Sequence, residues 1–104
     1  MSSIDLRFSN DTERHRYEAW QGDTLAAYVE YSPLANGLLF SHTEVMPAFE
    51  GQGVGSAIAR HVLDDARAQG QQVIPACQFI AGYIRRHGEY LDLVSEASRR
   101  AFKL

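Results

Sequence analysis

From Glu44 to Ser56 the chain reads Glu-Val-Met-Pro-Ala-Phe-Glu-Gly-Gln-Gly-Val-Gly-Ser, with Gly51, Gly53 and Gly55 where a β-rich stretch ends and a helical pattern begins. Glycine lets a backbone approach a ligand closely, and a helix start offers unpaired N–H groups at the positive end of its dipole. Such a turn suits phosphate. Spacing removes two nucleotide-binding patterns. A P-loop needs Lys and then Ser or Thr after its last glycine, whereas Gly55 is followed by Ser56-Ala57. A dinucleotide fingerprint needs an acidic residue to hold a ribose, but Gln71 and Gln72 stand where it would fall. A glycine-rich connection without a ligand remains the alternative for these glycines alone. His42, Glu44 and Cys77 also bear chemistry, yet two positions on one strand and a distant thiol lack the compact spacing of zinc motifs, so no metal site is expected.

The elements that must position these residues fit a small chain. At 104 residues and 45% hydrophobic content, one domain spanning 1–104 is expected, with its core at roughly 10–95, a length too short for a doubly wound dinucleotide fold. The net charge of -3 and a pI near 5.7 argue against nucleic acid as a partner. The lone Cys77 excludes an internal disulfide framework, and Met1-Ser2-Ser3-Ile4-Asp5 lacks the blocks of a signal peptide, so a cytoplasmic location is expected. No apolar run approaches the roughly 20 residues needed to span a bilayer, and no membrane role is expected.

Ile4, Leu6 and Phe8 alternate with polar residues as a short first strand, ended by a turn at Asn10-Asp11. Arg14 to Trp20 and Thr24 to Tyr31 form a hairpin about Gln21-Gly22-Asp23. Pro33 to Gly37 makes the next turn. Leu38 to Val45 is a fourth strand, whose strict alternation would place Leu38, Phe40, His42 and Glu44 on one face and Leu39, Ser41, Thr43 and Val45 on the other. The period then changes. Val54, Ile58, Val62 and Ala66 form a helical stripe from Val54 to Gln69, with Gly70 as its stop. Val73-Ile74, ended by Pro75, is a short buried strand parallel to the fourth, which completes a βαβ unit. Phe79, Ile80, Tyr83 and Ile84 mark a second helix ending near His87-Gly88, and a small C-terminal helix is predicted from Ser95 to Lys103. The fold class is α+β, mostly antiparallel, with a following helix.

This order, with Glu50-Gly51-Gln52-Gly53-Val54-Gly55 at the turn, resembles the acetyl-CoA-binding core of the GCN5-related N-acetyltransferases. The further strings His42-Thr43-Glu44-Val45, Val73-Ile74-Pro75-Ala76-Cys77 and Tyr83-Ile84-Arg85-Arg86-His87 are similar to the small YjdJ-type branch of that superfamily. The resemblance implies a minimal GNAT-like acyl-CoA N-acyltransferase fold with acetyl-CoA as cofactor. It implies that strands four and five splay apart around the pantetheine arm, and that the pyrophosphate rests on amides of Gly51, Gln52, Gly53, Val54, Gly55 and Ser56. The chain departs from the pattern in three places. Glu50 stands where Arg or Gln is usual, Gly88 where the branch carries proline, and no helices shape an acceptor site between the first strands.

Moving acetyl from a thioester to an amine requires a neutral amine, a stabilised oxyanion and a protonated leaving thiolate. Glu44 is placed as base for an amine whose reference pKa is about 10.4, with His42 on the same face as a relay through water. The alternatives are a charge at a strand end and a structural histidine. A backbone N–H at Val45 or Met46 would polarise the carbonyl, worth about 3 kcal/mol by analogy with other oxyanion donors. The resemblance implies a tyrosine near Tyr83 that hydrogen-bonds the departing sulfur; a core aromatic is the other reading. Cys77 opens the second helix, where a dipole favours thiolate, and is either an acetyl acceptor or a buried cysteine lining the pantetheine channel. Arg85, Arg86 and His87 suit a helix C-terminus, with the cofactor's 3′-phosphate as a further possible contact. The expected activity is N-acetyl transfer to an amine acceptor by a monomer or weak dimer. A non-catalytic acyl-CoA-binding module and a small interaction domain are the alternatives.

Overall fold

Alternating side chains fold the first half of the chain into an antiparallel meander, and the helical stripe that follows covers one of its faces. A computed structural model describes residues 5–104. Strands β1 (Arg7–Asp11), β2 (Arg16–Gln21), β3 (Thr24–Leu34) and β4 (Gly37–Val45) pair antiparallel in sequence order. A 3₁₀ turn at Pro47–Phe49 leads to helix α1 (Val54–Ala68), which crosses over to β5 (Val73–Pro75), parallel to β4 at the sheet edge. Helix α2 (Gln78–Arg86), a 3₁₀ segment at Gly88–Leu93 and helix α3 (Glu96–Ala101) complete the chain. The architecture is the α+β arrangement expected. Among the described residues no helix is long and apolar enough to cross a membrane.

Strand ends move relative to the sequence reading. Asn10 and Asp11 pair with Tyr17 and Arg16, so they extend β1 rather than turn it, and β2 starts at Arg16 instead of Arg14. The reversal falls on residues 12–15, where His15 takes a positive φ of 52°. Ile4 lies outside the described residues. Pro33 and Leu34 are not turn residues either: they pair with Leu38 and Gly37, and only Ala35-Asn36 remain between the strands. Gly37 permits the tight approach behind this hairpin, since a Cβ there would meet the Gln72 carbonyl oxygen at 2.5 Å.

The larger correction concerns the faces of β4. Tyr31 pairs with Phe40 and Glu30 with His42, so Ser41 is an extra residue on β4. A bulge of this kind shifts side-chain parity by one. Leu38 and Phe40 point into the core, but beyond Ser41 it is Thr43 and Val45, opposite buried Val29 and Ala27, that continue this face. His42 and Glu44 pair with Glu30 and Tyr28 on the other face, instead of sharing a face with Leu38 and Phe40.

Val54, Ile58, Ala59, Val62, Leu63 and Ala66 of α1 are buried in one cluster with Tyr17, Val29 and Phe40 of the sheet and Ile80 and Ile84 of α2. Burying each such large aliphatic is worth about 1.5–3 kcal/mol. Two hydroxyls fasten this layer: Tyr17 donates to Asp65 and Tyr90 to Asp64, the latter at 2.6 Å. Burial and the Asp65 hydrogen bond push the Tyr17 phenol well above its usual range. Burial and the Asp64 bond push Tyr90 up to about 12.

Candidate active site

Gly51 and Gly53 hold φ values of 78° and 79°, and nothing lies within 4 Å of where their Cβ atoms would be. Both therefore turn the chain in the left-handed region and leave space over the backbone. Gly53 is the N-cap of α1 and has no side chain to cap it. The first intrahelical bond runs from Ala57 N–H to the Gly53 carbonyl at 3.1 Å. The amides of Val54, Gly55 and Ser56 thus have no partner within the helix, and no acidic residue occupies the first turn. Gln52 is exposed and its side-chain amide donates back to the Ala48 carbonyl at 3.1 Å, while Glu50 stands exposed at the rim. A hollow of about 300 Å³ opens over this loop, walled by Val45, Phe49 and Phe79. Gly55 forms its floor: a Cβ there would come within 2.7 Å of the Phe79 ring and 3.3 Å of Val45 Cγ2. Phe79, read from sequence as part of the buried stripe of α2, is 37% exposed and serves as this wall.

The hollow continues towards a notch in the sheet. β5 pairs with β4 only from Leu38 to Phe40; the last link is Cys77 N–H to the Phe40 carbonyl at 2.8 Å. Beyond it β4 runs on to Val45 with no ladder partner on that side among the described residues. Cys77, the buried N-cap residue of α2, sends its thiol across the opening to Thr43 Oγ1 at 3.2 Å. Met46 uses its N–H on the Ala26 carbonyl and its own carbonyl on the Phe49 N–H, each at 2.8 Å. Because amides alternate sides along a strand, Val45 turns its N–H the opposite way, to the unpaired edge of β4. Of the two candidate oxyanion donors, then, Val45 is the one left for the notch.

On the other face of β4, His42 Nε2 and Glu44 Oε1 lie 2.9 Å apart, both side chains about half exposed. Tyr28, opposite Glu44 in the ladder, sets its ring 6.1 Å from that of His42, and Arg16 lies 4.7 Å over the Tyr28 ring. Tyr83 is placed elsewhere. Its ring stacks on His87 at 4.0 Å, burial raises its phenol, and the charged groups acting on it are Arg60, Glu89, Asp64 and Arg86, none of them on β4. The structure brings together the loop from Gly51 to Ser56 and Val45, joins Cys77 to Thr43 on the same strand, sets His42 and Glu44 one strand-face away, and leaves Tyr83 packed with His87 and Tyr90. Thr43 escapes sequence reasoning because its role is a contact with a residue 34 positions away. Its inward direction follows from the bulge, which the register with β3 sets and no local pattern signals.

A family model described as GCN5-related N-acetyl-transferase matches residues 16–93, from the start of β2 to the end of the second 3₁₀ segment. The solution structure of a GCN5-like protein from Staphylococcus aureus is similar in fold, with a TM-score of 0.64 and 22% identity over 91% of each chain. No curated protein matches the chain.

Proposed function

We propose, on the premise that this chain belongs to the GCN5-related N-acetyltransferase family and is an acyltransferase, that it moves an acetyl group from acetyl-CoA to the nitrogen of an amine. The observation that carries this reading is the bare start of α1: three amides without helical partners, under two glycines whose missing side chains leave the approach open. A diphosphate is the ligand such a cradle favours, since backbone donors and the helix dipole both attract it. Acetyl-CoA supplies the activated thioester. The hollow between Val45, Phe49 and Phe79 receives the arm that leads from that cradle to the notch.

Glu44 takes the proton of the attacking amine, assisted by His42, which shares a hydrogen with it. The new bond joins the amine nitrogen to the carbonyl carbon. The carbon–sulfur bond breaks as the tetrahedral oxyanion collapses, and the thiolate that leaves takes up a proton from solvent. The Val45 N–H donates to that oxyanion. No step passes through Tyr83, whose ring packs with His87 and Tyr90, and Cys77 lines the channel.

Glu44→Gln is expected to lower acetyl transfer by roughly 10²–10⁴-fold while acetyl-CoA still shifts the amide resonances of Gly51–Ser56. Cys77→Ala is expected to keep its turnover. An acetylated cysteine trapped in the parent protein, together with loss of turnover in this variant, would replace direct transfer by a two-step route. Acetyl-CoA binding with no transfer to amines, polyamines or lysine peptides would leave a binding module instead.

A further inference from the structure

Two hollows flank the start of α2. One is the loop hollow walled by Phe79. The other, also about 300 Å³, lies against the opposite side of the same helix, between Pro75, Gln78, Ala81 and Arg85 and the C-terminal residues Phe102 and Lys103. Its only charged lining residues are cations, Arg85 and Lys103. Arg85 donates from Nε to the Lys103 carbonyl at 3.1 Å and from Nη2 to the Phe102 carbonyl at 2.9 Å. These neutral acceptors fix the guanidinium in the wall without cancelling its charge. Nη1 has no partner among the described residues. Lys103 contributes only its carbonyl to these bonds, and it is exposed. The helix start adds to the field. The first intrahelical bond of α2 is Ala81 N–H to the Cys77 carbonyl, and Cys77 gives no side-chain cap.

Two residues of its wall stand beside the notch in the chain. Ala76 and Gln78, both in its wall, bracket Cys77, whose thiol spans the notch to Thr43.

We propose that this second hollow anchors an anionic group of the acceptor, so that the substrate is an amine that also carries a carboxylate or phosphate, held by Arg85 and Lys103 while its nitrogen lies at the notch. The inference rests on the acetyl-transfer reading and names its acceptor class. A hydrogen bond to a charged group contributes enough, against an amine that makes none, to set the expected preference at about tenfold or more.

The test uses the full chain. Amide and arginine-side-chain NMR follows titration with acetyl-CoA, inorganic phosphate, and two amine pairs, β-alanine with propylamine and phosphoethanolamine with ethanolamine. Transfer rates are taken for the same amines. Phosphate is expected to shift the Gln78 amide and the Arg85 Nε–H. The anionic member of at least one pair is expected to displace phosphate and be acetylated at least tenfold better in kcat/KM; the preferred pair tells carboxylate from phosphate. Arg85→Gln removes the phosphate shift, and Lys103→Gln, which leaves the Arg85 bonds in place, weakens it several-fold even if the first variant undocks α3. Shifts at Gly51–Ser56 with acetyl-CoA but none at Gln78 or Arg85 with phosphate would overturn the inference and spare the cofactor reading. An unmoved Gly51–Ser56 loop would overturn the cofactor reading itself. If CoA abolishes the phosphate shift and dephospho-CoA does not, the hollow belongs to the cofactor's 3′-phosphate and the acceptor assignment fails.

Discussion

The two ends of α1 are finished in opposite ways. At the C-terminus Gly70, with φ of 67°, closes the helix: its N–H bonds the Arg67 carbonyl at 3.0 Å and the Gln71 N–H bonds the Ala66 carbonyl at 2.9 Å. This is the Schellman arrangement, which satisfies carbonyls that would otherwise be orphaned. At the N-terminus Gly53 has nearly the same left-handed backbone, φ of 79°, but closes nothing, and the amides beyond it stay bare. The same residue in the same conformation closes the helix at one end and leaves its amides bare at the other. A helix terminus that belongs only to the fold satisfies its own polar groups. One that faces a ligand leaves them for the ligand.

Gly53→Asp is the strongest way to break this contrast, because the left-handed region tolerates Asp while its carboxylate would stand where the diphosphate is proposed. Acetyl-CoA affinity by calorimetry is expected to fall at least about tenfold, or 1.4 kcal/mol; unchanged affinity would mean the bare amides are not a phosphate cradle. Gly70→Ala should do the reverse, costing about 1–2 kcal/mol in denaturant unfolding and leaving acetyl-CoA affinity as it was. An equal effect on binding would erase the division of labour between the ends.

A smaller effect sharpens the comparison along the helix flank. Tyr90 and Tyr17 donate to Asp64 and Asp65 near the closed end, and both phenols are raised by burial first and by those carboxylates second. A raised pKa means the folded state holds the proton more tightly than the unfolded one. The stabilisation is therefore complete below about pH 10, the unfolded tyrosine value, and is lost as pH rises through the Tyr90 value of about 12. Thermal unfolding followed across this window should show a falling melting temperature, and Tyr90→Phe should remove part of the fall. That variant should cost about 1 kcal/mol at neutral pH for its lost hydrogen bond.

The glycine loop before α1 was legible because its signals are local. Glycines at alternate positions before a helical stripe specify a turn, a positive φ and an unobstructed backbone with no help from the rest of the chain. The α1 stripe and its stop at Gly70 are equally local. Strand ends were less legible, since Asn10, Asp11 and Pro33 carry turn propensity that pairing with β2 and β4 overrides. The bulge at Ser41 was not legible at all. Alternation predicts one face for Phe40, His42 and Glu44, and only the Glu30–Tyr31 register of the neighbouring strand displaces it.

The amino-acid order by itself determined the meander, the crossover helix, the glycine cradle and the pairing of His42 with Glu44 on one face, because each depends on neighbours within a few residues. Tertiary structure decided which amide of β4 stays free, that Cys77 meets Thr43, and that a cationic hollow forms against the C-terminal segment. Those outcomes are contacts between segments far apart in the chain, and no local spacing encodes them. They arise only when strands choose a register and helices settle on the sheet.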